Sequence, residues 1–291
     1  MSPIQLLIRL DLFTLMVGLG LGLRLEALAQ LRHRPWPVLR VLVGSCVLVP
    51  LVALGLLRLP FTLGLEAGAR FGIALMAISP SAPMALRKAG RQGGDPHLAA
   101  LIQVLAAVTA IVSIPLLTDL FRWVYAVEGW DIGPAEVARQ VLTAQVLPLA
   151  LGLLLRFQLP QLGERLAGPL TRIASVAQLA VVALILAKVL PKLLPFVRDN
   201  GMAIAVCLLM AAAALAIGYL LGEGDRPQRI STALVTSMRN PGLALLFSTT
   251  YGQEVNNEEL AILTYLLVTL LASIPVLRGL ARRPAANAGP G

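Results

Sequence analysis

Apolar runs near 5–27, 37–57, 67–92, 96–122, 137–157, 170–190, 202–222, 230–251 and 258–279 are separated by charged or Pro- and Gly-bearing connections. Most are about 20 residues long, the length that crosses roughly 30 Å of hydrocarbon at about 1.5 Å per residue. A soluble domain of this size has no interior large enough for them: 57% of the 291 residues are hydrophobic and 13% are charged. In lipid, every backbone polar group must be satisfied within the chain, which leaves helices or a closed barrel. Aromatic residues make up only 5% of the chain, and no strand-length alternation of apolar and polar residues is present. The expected fold class is therefore all-α, a polytopic membrane protein of about nine transmembrane helices.

The formal charge of +9 at pH 7 follows topology rather than nucleic acid. Arg and Lys sit at the ends of spans and form no stripe with interleaved aromatics, so the expected partner is the lipid bilayer and not nucleic acid. One side receives Arg24, Arg32, Arg34, Arg40, Arg87, Lys88, Arg91, Arg156, Arg165, Arg172, Arg226, Arg229, Arg278, Arg282 and Arg283. The other receives Arg9, Arg58, Arg70, Arg122, Arg139, Lys188, Lys192 and Arg198. The positive-inside rule then predicts a multi-pass protein of the cell (inner) membrane, N-terminus outside and C-terminus cytoplasmic. An odd number of spans fits that orientation. "MSPIQLLIRLDLF" lacks a basic n-region and a small-residue cleavage site, so the first helix is expected to remain in the mature protein. Cys46 and Cys207 lie in apolar segments and His33 and His97 in separate polar connections, so neither a disulfide nor a metal site is expected. The whole chain reads as a single transporter domain with a short flexible tail at 284–291.

Two spans carry interior breaks. "ALMAISPSAPMAL" (74–86) places Pro80 and Pro83 around Ser81, and "ALVTSMRNPGLAL" (233–245) places Pro241 and Gly242 after Asn240. The windows align without gaps, with Ala74, Leu75, Ala85 and Leu86 opposite Ala233, Leu234, Ala244 and Leu245, and Ser81 opposite Asn240. Under the assigned topology these spans cross in opposite directions, the pattern of an inverted repeat with halves near 1–125 and 134–283. An interior Pro costs about 3 kcal/mol in a helix, and freed backbone groups cannot face lipid. Such paired breaks therefore point to a binding site lined by protein or water, although a pair of simple proline kinks would also place these residues here. Asn240 is expected to cap a half-helix that starts at Pro241, and Ser79 or Ser81 to do the same in the third span.

At these residues the chain resembles the bile acid sodium symporter family. "MVGLGLGLRLEALAQLRHRP" is similar to that family's entry helix and basic loop, "SPSAPMALRKAGRQGGDPHLA" to its first crossover, and "SMRNPGLALLFSTTYG" to its second. The resemblance implies crossed discontinuous helices in a core domain (near 67–122 and 202–279), a panel domain (near 5–27 and 137–190), and alternating access between them. It also exposes departures. Relatives that couple to sodium place a sodium-binding Glu where this chain has Val235 and a Gln ligand where it has Arg239. The remaining polar candidates for substrate or ion are Asn240, Ser79, Ser81, Thr236, Ser237, Gln103, Thr109 and Ser113. No cofactor is implied beyond sodium, and the replaced ligands argue against sodium.

Arg239 admits three readings: a guanidinium in the place of a bound cation, bonding the carbonyl ends of the broken helices; a bidentate site for an anionic substrate; or an Arg that reaches the surface or pairs quietly. An Arg at mid-membrane usually lines a cavity. The expected function is a secondary active transporter for a small organic anion, not coupled to sodium or coupled to protons. Other readings are a sodium symporter with a modified site, an arsenite-type exporter (suggested by "GDPHLAALIQV" but lacking a Cys near the first crossover), and a membrane receptor or scaffold on a transporter fold. An enzyme is not expected: no Ser-His pair, paired carboxylates or metal set lies in the spans.

Overall fold

The computed structural model describes residues 3–23, 35–82, 84–125, 133–251 and 258–282. The described residues are mostly helical, with no strand among them. In chain order the helices are α1 (Pro3–Gly22), α2 (Pro35–Leu56), α3 (Ala67–Ile78), α4 (Met84–Arg91), α5 (Pro96–Tyr125) and α6 (Pro134–Gln158). They continue as α7 (Pro160–Asp199), α8 (Gly201–Leu221), α9 (Arg226–Ser237), α10 (Pro241–Tyr251) and α11 (Glu258–Arg282). Among the described residues, six helices are long and apolar enough to cross a membrane. The protein is thus an all-α, multi-pass membrane protein.

The expected third and eighth spans are each divided, into α3 and α4 and into α9 and α10. The sixth differs from expectation. It continues as one helix of 40 residues from Pro160, where a span over 170–190 with a polar connection before it was expected. Pro160 occupies the first turn, where its missing N–H costs nothing, and the polar residues after it are mostly helix formers. At about 1.5 Å per residue such a helix is about 60 Å long, more than the roughly 40–45 Å of a bilayer with its headgroups, so it extends past the hydrocarbon core.

α2 and α6 each contain a widened π turn, Gly44–Leu48 and Leu142–Val146. Each is followed closely by a proline, Pro50 or Pro148. A proline ring inside a helix presses on the carbonyl four residues back and removes a donor; widening the turn there relieves both. The π turn of α2 leaves the Ser45 carbonyl open to a partner from another helix.

The helices form two groups by packing. α1 lies along α6 and α7, while α8 packs on α9 and α11, and α3 on α11. Small residues set the closest approaches. A Cβ on Gly20 of α1 would stand 2.8 Å from the Leu153 nitrogen of α6, and one on Gly152 would stand 3.1 Å from the Gly20 Cα. Without a hydrophobic drive between helices in lipid, this contact of backbones is what holds α1 to α6. Large apolar side chains such as Val112, Leu116, Leu194 and Leu220 point outward, where lipid rather than water meets them.

Gly152→Leu should therefore part α1 from α6 and lower stability by about 1–3 kcal/mol. Gly55→Ala, at a glycine with nothing near its Cβ, should not. Thermal unfolding in detergent checks this, and equal midpoints for the two variants would contradict the packing described.

Candidate transport site at the crossing of two broken helices

The two breaks meet. The Ala82 amide donates to the Met238 carbonyl at 2.7 Å, and the Asn240 amide to the Ser79 carbonyl at 3.0 Å. The extended residues between the half-helices thus pair with each other, which answers the backbone groups that lipid could not. Asn240 caps α10, its Oδ1 accepting from the Leu243 amide at 3.1 Å, and Pro241 holds the first helical position. The expected counterpart in the third span is different. The hydroxyls of Ser79 and Ser81 are buried without a partner, so neither caps α4; instead Ser81 takes a left-handed backbone, φ 49°. That conformation is rare outside glycine and interrupts the helix between α3, which packs on α10 and α11, and α4, which packs on α9. Pro83 lies outside the described residues.

Arg239 fills the space between the broken ends. It is 1% exposed. Its Nε donates to the Met76 carbonyl at 3.2 Å, and one terminal nitrogen to the Ala77 carbonyl. The other terminal nitrogen meets the Ser45 carbonyl at 2.9 Å, the Ser45 Oγ at 3.1 Å and the Thr236 carbonyl at 3.4 Å. Met76 and Ala77 are in the last turn of α3 and Thr236 in the last turn of α9, where carbonyls are short of partners inside their own helices; the Met76 carbonyl also accepts from the Ser79 amide at 3.3 Å. Both helices direct their partially negative ends at one guanidinium. No carboxylate pairs with it among the described residues. Tyr265 of α11 completes the set by donating its hydroxyl to the Ser237 carbonyl at 3.1 Å.

The space beside Arg239 is small, a cavity of about 10 Å³ lined by Met76, Met238, Tyr265, Leu266, Thr269 and Leu270. One water is the most it can hold. A much larger cavity of about 440 Å³ begins at Met238, lined by Met84, Arg87, Lys88, Arg91, Gln92, Leu179, Leu270, Leu271 and Ile274. This is the size of a small-ligand site. It is walled by α4, α11 and α7, and Lys88 reaches across it to the Leu270 carbonyl at 3.2 Å and to the Ser273 hydroxyl.

Of the residues expected from sequence, Arg239, Asn240, Thr236, Ser237, Ser79, Ser81, Pro80, Pro241 and Gly242 are brought to the crossing. The unpartnered Thr236 hydroxyl and Asn240 amide nitrogen are buried there. Gln103, 1% exposed and unpartnered, is on the part of α5 that packs with Val235 and Met238. Ser113 lies farther along α5, beside the Cys46 thiol, and Thr109 is half-buried one turn before it. Sequence reading missed Ser45 and Tyr265, and it took Arg87, Lys88 and Arg91 for topology alone. A small polar residue four or five positions before a mid-span proline was the available signal for Ser45.

Helices broken and crossed at mid-membrane, beside a cavity, make this a polytopic membrane transporter. A family model described as the sodium bile acid symporter family matches residues 9–223, and the chain belongs to that family. A relative from Bacillus subtilis (strain 168), named an uncharacterized sodium-dependent transporter YocS, is 25% identical over 244 residues, covering 81% of this chain and 72% of that protein. The family match ends before α9, so the second break and Arg239 lie beyond it.

Removing the guanidinium takes the donor from the buried Ala77, Thr236 and Ser45 carbonyls. Arg239→Ala should cost about 3–5 kcal/mol, and Arg239→Lys less, because an ammonium keeps the charge but not the fork of donors. Thermal midpoints should rank wild type, Lys, Ala; an Ala variant as stable as wild type would refute the role given to Arg239.

Proposed function

We propose that this transporter moves a small organic anion by alternating access, without sodium, and that Arg239 stands permanently where a coupling cation would bind. The observation that carries the proposal is the set of acceptors around the guanidinium: backbone carbonyls from both broken helices and from the π turn of α2. Those are oxygen ligands of the kind a hard cation takes. Val235 supplies no carboxylate beside them, and is itself buried. With its nitrogens engaged by carbonyls and the Ser45 hydroxyl, and a space of only about 10 Å³ beside it, the guanidinium has no room to bind a substrate carboxylate directly.

The anion is instead assigned to the cavity of about 440 Å³ at Met238, where Arg87, Lys88 and Arg91 supply cationic donors and Leu179, Leu270, Leu271 and Ile274 an apolar wall. Charged donors on an apolar wall suit a carboxylate on a hydrocarbon body. α1, α6 and α7 would act as the panel and the remaining helices as the core, so that their relative movement opens the cavity to alternate sides. The relative's printed sodium dependence is the competing reading, and uptake separates the two.

A thermal-shift screen of mono- and dicarboxylates, with cholate included, should find a stabilising ligand. Its uptake into proteoliposomes should be equal in sodium and in choline, and strict sodium dependence would overturn the proposal. Arg87→Gln should weaken binding roughly tenfold or more, since a charged hydrogen bond contributes about 1.5–3 kcal/mol.

A further inference from the structure

A second polar cluster lies away from the crossing's own hydrogen bonds, in α1, α6 and α7. Asp11 of α1 is 5% exposed, Gln145 of α6 1% and Gln178 of α7 2%. The Asp11 Oδ1, the Gln145 Nε2 and both polar atoms of Gln178 are buried without a hydrogen-bond partner. Each occupies the inward stripe of its helix: Ile8, Asp11, Leu12 and Leu15; Val141, Gln145 and Leu149; Ala174, Gln178 and Val181.

Helix register places the three at one depth. α6 and α7 form a tight antiparallel pair, with Arg156 hydrogen-bonded to the Pro160 carbonyl at their turn. α1 runs parallel to α6, because Arg9 and Phe13 line a cavity with Gln140 and Thr143 while Gly20 meets Leu149 and Leu153. α1 therefore runs antiparallel to α7, where Gly18 meets Thr171. Asp11 precedes Gly18 by as many residues as Gln178 follows Thr171. The same depth holds the second break, since Leu12 touches Gly242. Leu179, next to Gln178, lines the large cavity together with Met238.

Among the described residues no counter-charge faces Asp11: the Arg239 guanidinium at the second break is turned to the carbonyls of Met76, Ala77, Ser45 and Thr236. On α1 itself Arg9 is exposed; on α6, Glu136 and Arg139 are exposed and Arg156 is at the far turn; on α7, Arg172 and Lys188 are exposed. On α5, Asp119 and Arg122 pair with each other at 3.0 Å. α10 has no charged residue, and at its far end the Ser248 hydroxyl holds Glu258 of α11 at 3.1 Å. An ionised carboxylate buried in a bilayer without a partner is costly, and intramembrane acids of this kind are a mark of ion and proton pathways. The two carboxamides cannot neutralise it, and their free polar atoms are too few to complete a metal ion's oxygen shell.

We propose that Asp11 is the proton-binding carboxyl of this transporter, coupling anion movement to a proton. A proton passes from water in the cavity beside Arg9 and Thr143 to an Asp11 carboxylate oxygen as the cluster is enclosed. It leaves to water on the opposite side when α1 and α7 part from the second break. With the fixed charge of Arg239 in place of a cation, the mobile charge of the cycle becomes this proton. The inference deepens the sodium-free anion transport proposed above and rests on it, but its test needs no substrate.

Infrared difference spectra of the protein in proteoliposomes, taken across an acid-to-alkaline pH series in potassium buffer, should show a protonated-carboxyl band that titrates. Asp11→Asn should lose that band, and Asp11→Glu should shift it. Should Asp11→Asn fail to fold, Gln178→Ala keeps the carboxyl but removes a neighbouring amide, and should move the same band. A band untouched by all three variants would overturn the proposal. So would its disappearance when sodium replaces potassium at fixed pH, which would make Asp11 a sodium ligand. Failure of the anion screen with the Asp11 band present would sink the substrate assignment and leave the proton site standing.

Discussion

The rest of the structure depends on one electrostatic condition: two helices end inside the membrane, and the carbonyls of their last turns need positive charge. α3 and α9 both present such ends at the crossing. Water could satisfy them only in an open cavity and a free cation only while bound. In this chain a guanidinium is covalently present and cannot leave. Its planar fork of donors reaches several acceptors in different directions, which a point charge does not do.

The neighbouring features follow from that placement. The π turn in α2, set by Pro50, turns the Ser45 carbonyl and hydroxyl toward Arg239. Tyr265 takes the Ser237 carbonyl that the guanidinium does not reach. Short backbone pairings between Ser79–Ala82 and Met238–Asn240 lock the two breaks together. The alternating access proposed above would move α1, α6 and α7 past this block and leave the charged centre intact.

The helical class and the two breaks were legible because each rests on a local rule: apolar length, the missing N–H of proline, and Asn as a cap; that the breaks cross was implied only by the family resemblance. Asn240 caps as its sequence context predicts. Ser81 does not, because it takes a left-handed backbone and its hydroxyl is buried without a partner. The unbroken length of α7 was hidden since polar residues at a membrane edge are as compatible with helix as with a loop. Arg239 was visible as an anomaly, yet its acceptors were not, since Met76, Ala77 and Ser45 contribute mainly backbone oxygens and carbonyls leave no trace in a sequence. The basic residues of α4 obeyed the topology rule and therefore concealed that they also line a cavity.

The claim that Arg239 takes the place of a coupling cation is tested most directly by titrating the purified wild-type protein with sodium chloride at constant ionic strength and following heat. The account predicts no saturable sodium binding, since the carbonyls of Met76, Ala77, Thr236 and Ser45 are already occupied by the guanidinium. Saturable sodium binding to the wild-type protein, abolished by substitution at the crossing, would contradict it.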